Sequence, residues 1–185
     1  MTDVLYSALD VFWAKGFEAT SLPDLMEATG LSKSSLYATF GSKRGLFLAA
    51  FDTYRQDRVT DMEAILNAGS GRDGVRGFFI KVVNDARSCS VRNGCMSTNQ
   101  AVEMAPSDTE IQERVSADFA LIESALRTTI GRGKQDGSIR SEKADGELAA
   151  QLTVAFPGIQ VLVRAGFDAD ELMHMVNAIL DCLDY

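Results

Sequence analysis

Apolar residues recur three or four positions apart along most of this chain, and no stretch of useful length alternates between apolar and polar positions as a strand does. The longest periodic segment begins at Asp108 or Thr109 and keeps its apolar side chains on one stripe as far as Ile130. Breaks in the pattern fall at turn-forming segments, among them 68–74 and 131–138. The pattern therefore predicts an all-α fold of about nine helices.

The segment from Ser21 to Ser32 predicts two short helices joined by a tight turn. Ser21 and Asp24 are spaced as a capping box in which Asp replaces the usual Glu, so a helix is expected to start near Leu22. Gly30 stands where a left-handed residue would end that helix, and Ser32 is a good N-cap for the next one. Two helices in this arrangement form a helix-turn-helix, whose second helix enters the major groove of DNA.

The second of these helices is predicted to have one apolar and one polar face. Leu36 and Phe40 lie four residues apart and are expected to point inward. The opposite face carries small donors and acceptors with one cation and one aromatic ring: Lys33, Ser34, Ser35, Tyr37 and Thr39. Such a face suits phosphates and base edges better than a hydrocarbon core.

The charge of the chain argues against DNA binding until its distribution is considered. The net charge is −8 over 185 residues, which opposes the basic footprint that DNA-binding proteins usually have. No acidic residue, however, lies between Glu27 and Asp52, and Lys33, Lys43 and Arg44 all fall in that interval. Any positive surface is therefore local, and we expect DNA binding to be sensitive to salt, because few phosphate contacts leave little affinity in reserve.

The composition argues against a disulfide-stabilised protein, a membrane protein and an enzyme. Three cysteines at irregular spacing do not suggest a disulfide framework. No apolar run approaches the roughly 20 residues that span a bilayer, and the N-terminus lacks the layout of a signal peptide, so we expect a cytoplasmic protein with no membrane partner. With one His, no nucleophile motif and no cofactor fingerprint, the chain is expected to have no enzyme activity, no cofactor and no metal site.

The last two predicted helices have apolar faces too broad for a single neighbour. A helix of this kind is buried on two sides, either within a core or against a second subunit, and we favour the second subunit. The residues expected at this homodimer interface are Leu152, Ile159, Leu172, Val176, Ile179 and Leu183. A two-fold dimer would also place two recognition helices about 34 to 36 Å apart, one turn of B-DNA.

The segment from Phe12 to Phe47 resembles the N-terminal domain of TetR/AcrR-type transcriptional repressors. The matching components keep their order and spacing: Lys15-Gly16-Phe17, Ala19-Thr20-Ser21, Gly30-Leu31-Ser32, Leu36-Tyr37, Phe40 and Lys43. The resemblance implies a helix-turn-helix DNA-binding domain over 1–48 and a helical effector-binding and dimerisation domain over 49–185. It further implies a repressor that binds a palindromic double-stranded operator as a dimer and is released when a small-molecule effector enters the C-terminal domain.

Carried over by position, the resemblance assigns eight residues to DNA. It places Lys33, Ser34 and Ser35 at the bases, and it places Thr20, Ser21, Tyr37, Thr39 and Lys43 on phosphates. Two departures from the family pattern stand out. Thr39 replaces a common histidine, and Gly45 lies in the first turn of the fourth helix, where glycine costs about 0.5 to 1 kcal/mol relative to alanine.

An effector cavity is expected to be lined by the fourth to eighth predicted helices. Its candidate lining combines methionine and aromatic side chains with two amides: Phe78, Phe79, Val82, Met96, Asn99, Gln100, Met104, Phe119, Ile122 and Phe156. Such a set is typical of an apolar pocket with a few polar groups that orient the ligand. An ordinary hydrophobic core would use the same residues, so both interpretations remain open.

Two alternatives accompany this interpretation. Cys89 and Cys95 flank a polar loop that holds Arg92, and they could sense electrophiles or oxidants in place of a bound ligand. The chain could also be a small helical enzyme or binding module that keeps the helix-turn-helix scaffold without binding an operator. A mobility shift on the protein's own upstream DNA would discriminate between these functions.

Overall fold

The computed structural model describes residues 2–88 and 93–185, and in these ranges it contains nine α-helices and no strand. The helices are α1 (Thr2–Lys15), α2 (Leu22–Thr29), α3 (Lys33–Phe40), α4 (Lys43–Leu66), α5 (Gly71–Ser88), α6 (Met96–Glu103), α7 (Thr109–Gln135), α8 (Asp145–Arg164) and α9 (Ala169–Leu180). A short 3₁₀ turn, Asp181–Leu183, follows α9. The predicted all-α fold is confirmed.

The caps that the sequence suggested define α2 and α3. The Ser21 hydroxyl accepts a hydrogen bond from the Asp24 backbone N–H, and the Asp24 carboxylate accepts one from the Ser21 N–H at 2.9 Å. Gly30 ends α2 with φ 67°, a left-handed conformation that favours glycine. The Ser32 side chain then accepts from the Ser35 N–H and starts α3. Each cap is local, so the helix-turn-helix follows directly from the short sequence around it.

Gly45 brings the start of α4 against the end of α3. The Ser42 hydroxyl caps α4 by accepting the Gly45 N–H at 2.9 Å. A Cβ at position 45 would stand 2.0 Å from the Phe40 carbonyl oxygen. Glycine is expected to cost helix propensity at this position. It also allows the backbones of α3 and α4 to approach more closely than any residue with a Cβ would permit.

The hydrophobic core consists of two clusters, and the first crosses the domain boundary predicted at residue 48. Fully buried Phe12, Phe47 and Phe51 dominate this first cluster, which α1 to α4 build. It also contains side chains from α6 and α7: Met96, Met104, Ile111 and Val115. The second cluster lies among α5, α7, α8 and α9, with the C-terminal half of α4. Because α4 continues unbroken through residue 48, the two parts of the chain share a helix and a core.

An ion-pair cluster fastens α4 to α7. The Arg44 guanidinium lies 2.9 Å from an Asp108 carboxylate oxygen and 2.7 Å from Glu110. Burial alone would raise the pKa of Asp108, but hydrogen bonds from Arg44 and from the first turn of α7 outweigh it and hold this pKa below its usual range. Further along, Arg114 pairs with Asp52 at 3.0 Å. The start of α4, next to α3, is thereby tied to the second part of the molecule.

The predicted dimer-interface residues lie mostly inside the single chain. Five of them are buried in the second cluster: Leu152, Ile159, Leu172, Val176 and Leu183. Ile179 is half-buried against the same cluster. The five buried side chains pack within the single chain and are not available to a second subunit as it stands, which corrects their assignment to a subunit interface. The assignment of Ile179 to that interface stays a prediction.

A second apolar surface of α8 remains uncovered. Val154 and Val161, seven residues apart, are 76% and 53% exposed. The helix has a mean hydropathy of 1.3 over an 18-residue window, of which 33% is buried. By length and composition alone this helix could cross a membrane, whereas no apolar run of that kind was expected from the sequence. A helix that is apolar on two sides has the same composition.

Candidate nucleic-acid interface and inner cavity

The polar face predicted on α3 is on the surface. Lys33, Ser34, Ser35, Tyr37 and Thr39 are all exposed, while Leu36 on the other side of the helix is buried. The Tyr37 side chain is 42% exposed, with the Lys33 ammonium 5.9 Å from the ring centroid. This face can offer hydroxyl groups and one cation to a polyanion without moving the core.

The serines at the start of α3 form a small hydrogen-bonded group. The Ser34 and Ser35 hydroxyl oxygens each lie 2.9 Å from the Ser32 hydroxyl oxygen. Ser32 also accepts from the Ser35 backbone N–H at 3.2 Å. The first turn of α3 therefore presents two oriented hydroxyl groups beside N–H groups that lack intrahelical partners.

Lys43 supplies a second cation close to α3. Its ammonium lies 4.4 Å from the centroid of the Phe17 ring and 3.5 Å from the Glu18 carbonyl oxygen, to which it donates. These contacts hold the charge at the N-terminus of α4, where the helix dipole also favours anions.

Thr20 and Ser21, two of the residues predicted to contact phosphates, form hydrogen bonds within the protein. Thr20 is 1% exposed, and its hydroxyl donates to the Gly16 carbonyl oxygen at 2.6 Å. Its assignment to phosphate is corrected, because the side chain closes the loop between α1 and α2. Ser21 is exposed, but its hydroxyl donates to the Asp24 carboxylate at 2.8 Å while capping α2. A phosphate contact by Ser21 stays a prediction.

A cavity of about 190 Å³ lies among α4, α5, α7 and α8. Half of the ten residues predicted for an effector pocket line it: Phe78, Val82, Phe119, Ile122 and Phe156. Phe78 and Phe156 form an aromatic pair in its wall, with ring centroids 5.1 Å apart. Its wall is mostly apolar, as is usual for a small-molecule site.

The other five predicted residues do not line this cavity. Phe79 is fully buried in the second cluster and is not among the cavity-lining residues. Met96 and Met104 pack into the first cluster, because α6 turns its apolar side toward the helix-turn-helix. Gln100 is buried and donates to Glu103 at 3.3 Å, while Asn99 donates to the Asn93 carbonyl oxygen at 2.9 Å. The two amides thus stabilise α6 and its neighbouring loop.

Sequence reasoning missed α1 as part of the cavity wall, and it named no residue of α4 although it expected that helix to contribute. Trp13 lines it from α1, and Tyr54, Arg58 and Met62 line it from α4. The spacing of four between the α4 residues indicates a common face, but the face holds an Arg and a Tyr among apolar residues. Trp13 lies on the apolar stripe of α1 and was indistinguishable from core.

Cys95 lies in the cavity wall, opposite a tyrosine. The Tyr54 hydroxyl donates toward the Cys95 sulfur at 3.5 Å and accepts from the Met96 backbone N–H at 3.2 Å. Complete burial, reinforced by Cys95, raises the pKa of Tyr54 well above its ordinary value, so this group is a neutral donor. Cys89, the other candidate sensor, lies outside the described residues. Within the described ranges, no group of three or more His, Cys, Asp or Glu side chains is arranged to hold a metal.

The fold and these two sites define a helix-turn-helix protein whose DNA-facing helices are joined to a cavity-containing helical body. Residues 4–50 match the family described as bacterial regulatory proteins of the tetR family, and residues 71–179 match a tetracyclin repressor-like C-terminal domain. The chain belongs to the TetR family of bacterial transcriptional regulators.

Individual relatives are similar over nearly their whole length. The chain is 32% identical to the uncharacterized HTH-type transcriptional regulator YezE of Bacillus subtilis (strain 168), covering 98% of this chain and 94% of that protein. It is 30% identical to the HTH-type transcriptional repressor ComR of Escherichia coli (strain K12), with 95% and 85% covered. Among solved structures, a cysteine mutant of the TetR family regulator CifR, complexed with 26bp double-strand operator DNA and apo-CifR, superposes with a TM-score of 0.85. That match has 30% sequence identity and covers 96% of this chain and 94% of the other.

Proposed function

We propose that this protein is a homodimeric repressor that places α3 in the major groove of a two-fold operator and leaves the DNA when its cavity is filled. The observation that carries the proposal is the exposed, acid-free face of α3, which ends beside the fixed cation of Lys43. The operator complex of the similar CifR and the repressor ComR support the same function for this chain.

The charge balance shapes how such a protein binds. Lys33 and Lys43 are the cations of the DNA-facing surface, while the whole chain carries −8. Each phosphate neutralised releases counterions, so affinity falls with salt along a slope that grows with the number of contacts. A small number of contacts also gives low affinity at moderate salt, which leaves little reserve. Two copies of the surface on one dimer double the number of contacts. We place the protein in the cytoplasm, where its operator lies.

The dimer is proposed to form through the exposed side of α8. Val154 and Val161 lie on one face of that helix and are 76% and 53% exposed in the single chain. A second copy related by a two-fold axis would bury both valines twice, which stabilises the pair by the hydrophobic effect. This interface is on the opposite side of α8 from the buried residues that the sequence suggested.

The proposal is tested by a mobility shift with DNA from upstream of the protein's own coding region, at low and at moderate salt. We expect a specific band that survives competitor DNA and is lost as salt rises. Lys33→Ala should abolish the band at moderate salt, whereas Lys134→Ala, which removes a lysine paired with Asp145 at 3.0 Å far along the chain, should not. No specific band at either salt would favour a helical module that keeps the scaffold without operator binding.

A reactive effector is a second candidate signal, because Cys95 lines the same cavity. Alkylation by iodoacetamide would add a carbamoylmethyl group to its sulfur with loss of iodide and would fill the space beside Tyr54. We expect the reagent to release the wild-type protein from DNA and to leave Cys95→Ser bound. Cys182→Ser, at a half-buried thiol outside the cavity, is the matched control. Release of Cys95→Ser at the wild-type rate would show that the reagent acts at another residue and would exclude Cys95 as the sensor.

A further inference from the structure

The charges that line the cavity are balanced. Three cations and three carboxylates belong to the wall, and each cation pairs with a carboxylate of the same wall: Arg55 with Asp118 at 2.7 Å, Arg58 with Asp61 at 2.8 Å, and Lys81 with Asp85 at 3.0 Å. An ionic ligand would have to break one of these pairs or remain unpaired itself. Because burying an unpaired charge is costly, the wall disfavours both anions and cations.

The interior sets the size of the ligand. Phe78, Phe119 and Phe156 provide aromatic surface, and Val82 and Ile122 complete the apolar lining. The free volume is about 190 Å³. An apolar cavity of about 150 Å³ holds one benzene molecule, so this cavity has room for one ring with a short substituent.

Two nitrogen atoms in the wall are buried without a hydrogen-bond partner among the described residues, the Trp13 indole nitrogen and the Arg58 Nε. The Arg58 guanidinium pairs with Asp61 through another of its nitrogens, whereas the indole has no other polar atom. The Trp13 ring packs edge-to-face on Tyr54, with centroids 5.0 Å apart, at the end of the cavity that also holds Cys95. An indole nitrogen is only a donor, and leaving it unpaired in the interior costs free energy that an acceptor on a bound molecule would restore.

We propose that the cavity binds an uncharged, largely apolar molecule of about one substituted aromatic ring, whose hydrogen-bond acceptor takes the N–H of Trp13. This inference names the class of effector for the cavity in the proposed function, and it rests on that function for its biological meaning. The indole turns from its covered position toward the ligand when the bond forms.

The bond to Trp13 would link the effector directly to the DNA-binding helices. Trp13 belongs to α1, which packs on α2 and α4, and its carbonyl oxygen accepts from the Arg164 guanidinium of α8 at 3.4 Å. The same Arg164 donates to the Asn93 carbonyl oxygen at 3.1 Å, beside the cavity. A ligand that turns the indole therefore acts on a residue of α1 that lines the cavity and is hydrogen-bonded to α8.

The test compares three probes by calorimetry on the full chain without DNA: acetophenone, ethylbenzene and benzoate. Acetophenone carries a carbonyl acceptor, ethylbenzene has the same carbon skeleton without the oxygen, and benzoate carries a charge. We expect acetophenone to bind about fivefold more tightly than ethylbenzene, the effect of one hydrogen bond, and at least about tenfold more tightly than benzoate. Benzoate binding as tightly as acetophenone, or the absence of binding by either neutral probe, would overturn the proposal.

Trp13→Phe tests the donor itself. We expect this variant to lose the preference for acetophenone over ethylbenzene while still binding ethylbenzene. Trp13 is the only tryptophan, so the wild-type protein has one indole N–H signal in a proton–nitrogen NMR spectrum. That signal should move downfield with acetophenone and not with ethylbenzene; equal movement with both probes contradicts the hydrogen bond even if Trp13→Phe does not fold.

A matched pair of valine substitutions locates the binding. Val82→Phe fills the cavity and should abolish binding of both neutral probes, whereas Val102→Phe, at a side chain that is 77% exposed on α6, should leave it intact. Neutral probes that bind Val82→Phe normally would place the site elsewhere. All of these measurements omit DNA. Their failure would therefore not count against operator binding, and a failed mobility shift would not count against ligand binding in the cavity.

Discussion

Replacing Gly45 with alanine tests whether the contact between α3 and α4 positions the DNA-facing helix. The new Cβ would stand 2.0 Å from the Phe40 carbonyl oxygen, and Cβ atoms essentially never approach a heavy atom within 3.0 Å. The end of α3 must therefore move from the start of α4 by about 1 Å. Both contacting groups are backbone, so no side-chain rotation relieves the clash.

A matched control isolates the free energy of that clash. Gly146 also lies in the first turn of a helix, α8, and a Cβ there meets only Arg127 atoms at 3.8 Å or beyond. Both substitutions gain about 0.5 to 1 kcal/mol from alanine's better helix propensity. The difference between the two variants is thus the cost of overpacking, about 1 to 3 kcal/mol, or about 2 to 12 °C in melting temperature for a chain of this size.

The assay combines thermal unfolding and DNA titration at one protein concentration, because dimer stability depends on concentration. Gly146→Ala should melt slightly above the wild-type protein, and Gly45→Ala below it. Base contacts tolerate only a few tenths of an ångström, so Gly45→Ala should also lose at least about tenfold in specific affinity while keeping non-specific binding. If the two variants melt together and bind the operator equally, the α3–α4 contact does not set the position of α3.

Three further predictions concern other parts of the molecule. Lys43→Ala should weaken binding to all DNA sequences alike and lower the slope of log affinity against log salt by about 0.9 per half-site. Ser35→Ala should instead change base preference in a titration of operator variants. A uniform loss of affinity in both variants would refute the assignment of Lys43 to phosphate and Ser35 to the bases. Val161→Asp should give monomers in sedimentation equilibrium, and an unchanged dimer would exclude the exposed face of α8 as the interface. Because the folded state holds the pKa of Asp108 below its usual value near 4, its contribution to stability is present above that value and is lost as the pH falls through the lowered pKa. Melts at decreasing pH should show this loss, and Arg44→Met, which removes the partner of Asp108, should reduce it; the same acid dependence in both proteins would contradict the account.

The parts of the fold that depend on neighbouring residues were predictable from sequence. The caps at Ser21, Gly30 and Ser32 define α2 and α3 through contacts no more than four residues apart. The exposed face of α3 follows from the same helix geometry. Thr20 shows the limit, because a threonine in a loop gives no sign that its hydroxyl will turn inward to the Gly16 carbonyl oxygen.

The cavity and the subunit surface could be predicted only in part, because they depend on how helices pack. Phe78 and Phe79 are adjacent on α5, yet the helix turns one toward the cavity and the other into the core. Apolar spacing shows that Leu152 and Val176 are buried but not which element covers them. The sequence does not reveal that Val154 is exposed, because valine is usually buried. Its exposure indicates a possible subunit surface only once the structure shows that the other apolar side of α8 is covered.

The shared first cluster has a consequence for protein engineering. Met96, Met104, Ile111 and Val115 come from the second part of the chain but pack among the side chains of α1 to α4. A chimera made by grafting residues 1–48 onto another regulator would leave these four side chains facing foreign surfaces and would uncover their partners, Phe47 among them. Transplanting the DNA specificity of this protein therefore requires changing the exposed residues of α3 alone, or moving α6 and the first turns of α7 together with the N-terminal helices.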